Sequence, residues 1–472
     1  MNLNKIFQNK KTRAKHFLAI SIILLQSACQ KFVEIKRDSG QAFLETVTDC
    51  QLILNNYSDM NVGYPSDGET SSDNYYLSDA GYLASSTTTE DRDLYTWQSF
   101  AIRAVAAPQW QGPYRIVYLS NLVLEALAKI DDVDQNVKND LRGQALFFRA
   151  YSFWQVAQLY TKPYRATSAG EDQGIPLRLS SDINGKSQRG TVEQTYSKII
   201  SDLLEAVELL SPNFTVASRP NKTAAYAMLS RVYLSMEDYP NALSNGNAAL
   251  QINSQLLDYS SLNTTSNTPF ERFNKEVIFH SLMNNRGVTL NPGSATSNIA
   301  KIDLALVASY DANDLRKTLF FKANSGSHIG SFRFTGNYEP VTSPTLFNGL
   351  ATDELYLNRA ECYARAGNIT GAMSDLNTLL RTRWKSGTYV DITAASAEQA
   401  LTRVLLERRK ELLMRGIRWT DLRRLNMDSR FAVTLTRTVN GVTYTLPPND
   451  VRYTLLIPNE VINNSEITQN TR

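Results

Sequence analysis

Residues Lys222 to Asn253 read KTAAYAMLSRVYLSMEDYPNALSNGNAALQIN, and their spacing decides the fold. Tyr226, Leu229, Tyr233, Ala242, Gly246 and Ala249 fall at the offsets of a tetratricopeptide hairpin, two antiparallel helices turning at Met236-Glu237-Asp238-Tyr239. The small residues let two backbones approach closely, and such a hairpin buries its apolar face only against a neighbour. Further copies are therefore required. A second spans Asp353 to Arg383, with Tyr356, Ala360, Tyr363, Ala372 and Leu376 on the same spacing and Gly367-Asn368 as its turn. A third is split: Leu141 to Tyr160 and Val192 to Leu210 supply its helices, separated by a Pro-, Gly- and Ser-rich insertion from Pro163 to Gly190. In a fourth, Tyr114 to Ile130 has helical period and is expected to pair with Phe43 to Leu54.

These copies predict an all-α scaffold with tetratricopeptide-type helices near 43–54, 114–160, 191–253 and 353–415. Between them run three long, polar connections, 55–97, 256–292 and 322–349, rich in Gly, Ser, Thr and Asn. Long ordered connections on a rigid scaffold are where function concentrates. The tail from Val442 to Pro458 alternates enough to predict a short β-hairpin.

The N-terminus reads as an export signal. Lys5, Lys10, Lys11, Arg13 and Lys15 precede an apolar run from Phe17 to Leu25, too short for a permanent span, and then Gln26-Ser27-Ala28-Cys29. Small residues before a Cys resemble a bacterial lipobox, which implies cleavage after residue 28 and lipidation of Cys29, leaving one domain over 29–472. Losing five basic residues and no acidic one takes the formal charge from +3 to −2. Basic and acidic residues are interleaved along the remainder, so no clustered positive field exists for a phosphate backbone, and nucleic acid is not an expected partner. Cys50 and Cys362 are then the remaining cysteines, both in apolar helical stretches. An exported protein permits a disulfide between them, without a motif that supports one.

Catalytic chemistry is sparsely represented. His280 and His328 lie far apart without a paired Cys or His, so neither a metal site nor a cofactor is readable. Gly185-Lys186-Ser187 lacks the earlier glycine of a phosphate loop, and Gly326-Ser327-His328-Ile329-Gly330 is out of register for a nucleophile elbow. A glycosidase carboxylate pair depends on separation in space, which sequence leaves open.

Binding chemistry is better represented. The 55–97 connection concentrates Tyr57, Tyr64, Tyr75, Tyr76, Tyr82 and Trp97 among Asp73, Asn74, Asp79 and Arg92. Exposed rings offer stacking area and the polar groups orient hydroxyls, which is what a sugar needs. Asp73, Tyr75, Tyr76 and Trp97 are the expected ligand contacts, with Phe270 and Phe273 as secondary candidates. The competing reading is that these rings pack the connection onto the helices. Trp154 and Tyr160 share helical spacing with Phe147, Phe148 and Tyr151 and are expected in the core.

The stretch Glu407 to Leu425 reads ERRKELLMRGIRWTDLRRL. It predicts a helix that stops at Gly416, a surface pair of Glu411 with Arg415, Trp419 capping the core, and local pairing of Arg418 and Asp421. Glu407 and Glu411 share a face among Arg403, Arg408, Lys410 and Arg415, the pattern of an ion-pair network rather than a catalytic dyad. This stretch resembles the closing signature of the SusD/RagB family, with Arg415 where that family usually has Glu. The resemblance continues in collinear pieces: the lipobox, WQGPYRIVYLSN from Trp110, QALFFRAYSFWQVAQLYTKPY from Gln144, Asp314-Leu315-Arg316, and the repeat at Tyr356 to Arg383.

What the resemblance implies is an outer-membrane lipoprotein, anchored through its lipid and facing the exterior. It captures a glycan or related oligomer without catalysis and passes it to a SusC-like TonB-dependent transporter, over whose mouth it sits as a lid. In glycan-binding members the region corresponding to 55–97 carries the ligand site. Peptide capture and a helical-repeat scaffold for membrane-protein assembly are the alternatives, and an exported hydrolase lacks every recognisable motif.

Overall fold

The computed structural model describes residues 44–131, 133–212, 216–284, 290–343 and 345–472. The expected signal peptide and lipidated Cys29 lie outside them. In chain order the longer helices are α1 (Val47–Leu54), α2 (Gln111–Leu127), α3 (Gln135–Tyr160), α4 (Val192–Leu209), α5 (Lys222–Ser235), α6 (Tyr239–Ile252), α7 (Thr352–Arg365), α8 (Ile369–Arg381), α9 (Ala397–Glu411) and α10 (Arg418–Leu425). Side-chain caps start most of them. Asn221 accepts from the Ala224 N–H at α5, Asp238 from Asn241 at α6 and Asn368 from Gly371 at α8, while Thr191 and Gln194 form a capping box at α4.

The hairpins stack as the repeat logic requires, α3 on α4, α4 on α5, α5 on α6, α6 on α7 and α7 on both α8 and α9. Ala242, Ala249, Ala360 and Ala372 are fully buried at these crossings. At the α5–α6 contact the Ser230 hydroxyl donates to the Ala242 carbonyl at 3.0 Å, and a side chain at Gly246 would stand 3.3 Å from that hydroxyl. The split repeat closes through α3 and α4, and its insertion carries a two-stranded ribbon, Gln173–Pro176 with Arg189–Thr191. Helix α2 packs chiefly on α3, so the expected pairing of 114–130 with 43–54 is a three-way contact in which α1 touches both. Trp154 and Tyr160 are core residues, each 1% exposed. Cys50 and Cys362 are free, buried thiols, not a disulfide.

Several expectations need correction. The 55–97 connection is built from short helices and two short strands, Val62–Tyr64 and Tyr75–Tyr76, with about half of its residues buried. Helix α9 ends at Glu411, five residues before Gly416. The chain unwinds there, and Leu412, Leu413, Met414 and Ile417 are all buried in the segment that follows. Met414 and Gly416 both take left-handed φ, 59° and 70°, in that unwound segment. Arg415 pairs with Asp353 at 2.8 Å and not with Glu411. The C-terminal hairpin is Leu435–Val439 with Val442–Leu446, earlier than 442–458. Its two-residue turn is Asn440-Gly441, with φ of 51° and 73°, the conformation that matches strand twist.

Candidate functional site

The aromatic cluster of the first connection is real, but its faces are occupied. Tyr75 and Trp97 are 3% and 4% exposed. The Tyr75 hydroxyl donates to the Thr70 carbonyl at 2.7 Å and the Trp97 indole N–H to the Ser71 carbonyl at 2.9 Å. Arg437, reaching in from the C-terminal hairpin, places its guanidinium 3.7 Å from the Tyr95 centroid, 4.5 Å from Trp97 and 5.4 Å from Tyr75. It also donates to the carbonyls of Tyr95 and Ser72. The expected stacking platform at Tyr75 and Trp97 is thus an internal cage around the protein's own cation, and neither ring presents a free face. Tyr76 is only half-buried. Phe270 is a core residue, whereas Phe273 is 45% exposed.

Asp73 is held by the C-terminal signature. Arg418 grips it at 2.6 and 2.9 Å and Arg409 stands 3.0 Å away. Burial would raise this carboxyl, but the two guanidinium groups outweigh it and depress it well below the carboxylate range. Arg418 therefore pairs across the chain rather than with Asp421, which bonds Arg408 and Arg424 at 2.8 and 2.9 Å. Glu407 and Glu411 behave as ion-pair partners. Arg316 joins them to Asp314 at 2.6, 2.9 and 2.7 Å, and Arg383 ties Glu411 to Glu276 at 2.7 and 2.8 Å. Burial pushes Glu276 up to about 7 despite Arg383. Among the described residues no group of three His, Cys, Asp or Glu is arranged to hold a metal, and no helix is long and apolar enough to cross a membrane.

The later connections form an open concavity. Asn267 and Thr268, Pro292 to Ala295, and Arg333 to Ser343 surround a cavity of about 270 Å³. Its walls carry an exposed amide at Asn267, hydroxyls at Thr268, Ser294 and Thr342, and apolar surface from Phe334 and Val341. Asn298 and Asn324 knit the two connections at 2.9 Å, and Ser325 donates to the Ala295 carbonyl at 2.9 Å. The 292–302 segment links this cavity to the first connection, since Lys301–Ile302 pairs antiparallel with Tyr75–Tyr76. Tyr76 and the cavity thus sit at the two ends of one segment. The sequence points to these connections through their aromatic residues, whereas the polar part of the lining is amide, hydroxyl and guanidinium set in apolar surface.

Comparison with known proteins gives a consistent result. Residues 31–234 match the family described as "starch-binding associating with outer membrane", and residues 352–471 match the SusD family. The chain is 23% identical over 378 residues to "SusD-like protein P2" of Formosa agariphila, covering 67% of this chain and 71% of that protein. Among solved structures, a putative sugar-binding protein from Bacteroides vulgatus has a TM-score of 0.72 at 23% identity, over 91% of this chain and 99% of its own. A SusD superfamily protein from Bacteroides thetaiotaomicron reaches 0.73 at 22% identity, over 90% and 100%. A laminarin-binding SusD-like protein reaches 0.65 at 17% identity, over 89% and 97%.

Proposed function

We propose, from the premise that this chain belongs to the SusD family, that it is a carbohydrate-capturing lipoprotein of the outer membrane. Its ligand, a glycan or related oligomer, sits in the cavity formed by the 256–292 and 322–349 connections, with Tyr76 as a stacking contact at the other end of the 292–302 segment. The observation that carries this reading is the cavity itself. Amide and hydroxyl groups converge there beside an apolar wall, a set that matches a sugar's alternating hydroxyls and C–H faces. The sugar-binding and laminarin-binding descriptions of structural neighbours support it. Asp73 acts as a positioning residue, holding the first connection to Arg418.

The finer assignments rest on the family and the N-terminal sequence. Cys29 is the lipid anchor, the protein faces the cell exterior, and a TonB-dependent transporter of the SusC type receives the ligand. No reaction is catalysed. The acidic residues that a hydrolase would need in the C-terminal signature are consumed by guanidinium partners. Native gels cast with starch, laminarin and other polysaccharides test the reading. Retarded migration on at least one of them, with no released product after long incubation, is expected. Product release would instead make the protein a hydrolase, and retardation by none would argue for peptide capture or a scaffold.

A further inference from the structure

The cavity carries an electrostatic feature that a neutral sugar does not need. Strands Phe321–Ala323 and Phe332–Phe334 pair antiparallel, and the register sets Lys322 directly opposite Arg333. Like charges placed across a strand pair repel, and such pairs are ordinarily avoided. Arg333 is 8% exposed and lines the cavity, and Lys322 is half-buried beside it. Among the described residues their hydrogen bonds go to neutral oxygens. Arg333 donates to the Ala323 carbonyl at 2.7 Å and to Asn267 Oδ1 at 2.8 Å, and Lys322 donates to the carbonyls of Thr264 and Thr318. Among the described residues no carboxylate forms an ion pair with either.

The one carboxylate in the described lining is Glu339, and it is already spent. Arg272 holds it at 2.9 and 2.7 Å, and His280 Nε2 stands 3.1 Å from it. Burial raises the Glu339 carboxyl, but the His280 and Arg272 hydrogen bonds outweigh this and keep it ionised. For Lys322, burial and then the field of Arg333 lower its hold on its proton. A buried guanidinium and a half-buried ammonium therefore share one short ribbon beside a cavity whose described lining offers no free anion. Buried charge that lacks a counter-charge is costly, and a ligand that supplies one recovers that cost on binding.

We infer that the cavity selects an acidic saccharide, one whose carboxylate or sulfate is received by Arg333, with Lys322 behind it strengthening the positive field. The inference rests on the proposed function and names its ligand class. A planar guanidinium suits both groups, because each offers two oxygens in a plane to parallel N–H donors. Inorganic sulfate offers the same chemistry without the sugar.

The test is calorimetric titration with tetragalacturonate, a sulfated carrageenan tetrasaccharide, neutral maltotetraose and laminaritetraose, and sodium sulfate. An acidic tetrasaccharide should bind at least about tenfold more tightly than both neutral ones, a difference of about 1.4 kcal/mol. Arg333→Gln should collapse that acidic-to-neutral ratio. Lys322→Gln supplies the second arm, because it should raise the thermal midpoint by relieving repulsion while lowering affinity for the acidic ligand. A merely structural lysine would move both downward. Binding of sodium sulfate as tight as that of the sulfated sugar would overturn the saccharide part of the inference. Neutral binding equal to acidic binding overturns the charge selection and leaves carbohydrate capture standing. Failure of every saccharide to bind sinks both.

Discussion

At the residue scale, Trp97 marks the difference between what composition suggests and what geometry permits. A loop dense in Tyr and Trp reads as a ligand surface, yet the ring that would stack on sugar is spent on Arg437. The signal was legible only in part. An arginine near residue 437 is visible in the sequence, but nothing local links it to rings more than three hundred residues earlier. Because Trp97 is buried, Trp97→Ala should destabilise the protein by about 3 to 5 kcal/mol, as loss of a core ring does. Chemical unfolding of that variant beside Tyr76→Ala, which should lie within about 1 kcal/mol of the parent, checks the contrast. A second residue-level prediction concerns Glu361. Burial alone would raise its carboxyl, but Arg424, Arg365 and Arg408 outweigh burial and hold it at about 2 against an ordinary 4.5. A folded value below the unfolded one means that ionised Glu361 stabilises the fold above pH 4.5 and loses that contribution as pH falls toward 2. The full effect is about 3 kcal/mol, so the stability gap between parent and Glu361→Gln should narrow by about 2 kcal/mol between pH 7 and pH 3. A gap that stays constant would mean that the carboxylate is not stabilised as described.

At the element scale the helices were readable and the turns less so. Small residues at Ala242, Gly246 and Ala360 with aromatic partners three, four or seven positions away specify hairpins, because only close-packed helices need that pattern. Ala242 sits buried between Leu234 and Cys362, so Ala242→Leu should cost about 1 to 3 kcal/mol through overpacking. An unchanged melting temperature would contradict the packing. Gly416 carries the sequence cue of a helix stop, whereas the chain already leaves the helix after Glu411 and Met414 is left-handed, a break that no local residue type marks. The hairpin was misplaced for a simpler reason. Asn440-Gly441 is itself the strong turn signal, and alternation further along the tail competed with it. The pairing of Tyr75–Tyr76 with Lys301–Ile302 was not readable, since two-residue strands separated by more than two hundred residues carry no periodicity.

At the scale of the whole molecule, a stacked helical scaffold holds three long connections together, and guanidinium groups from the C-terminal signature tie scaffold to connections. Arg418 is one such tie, joining Asp73 to α10. Removing it by Arg418→Ala should loosen the first connection as a unit, which hydrogen exchange across residues 72–97 should register as faster exchange than in the parent. The central claim is that the connections, not the scaffold, hold a glycan. Titration calorimetry of the parent and of Thr268→Trp against a polysaccharide panel tests it most directly, with the thermal midpoint of each protein measured alongside. Thr268 lines the cavity and is half-exposed, so a bulky ring there should fill the site without disturbing the fold. The account predicts saturable binding of at least one polysaccharide by the parent, and affinity at least about tenfold weaker in Thr268→Trp at an unchanged midpoint. Glycan binding that survives Thr268→Trp undiminished would contradict it.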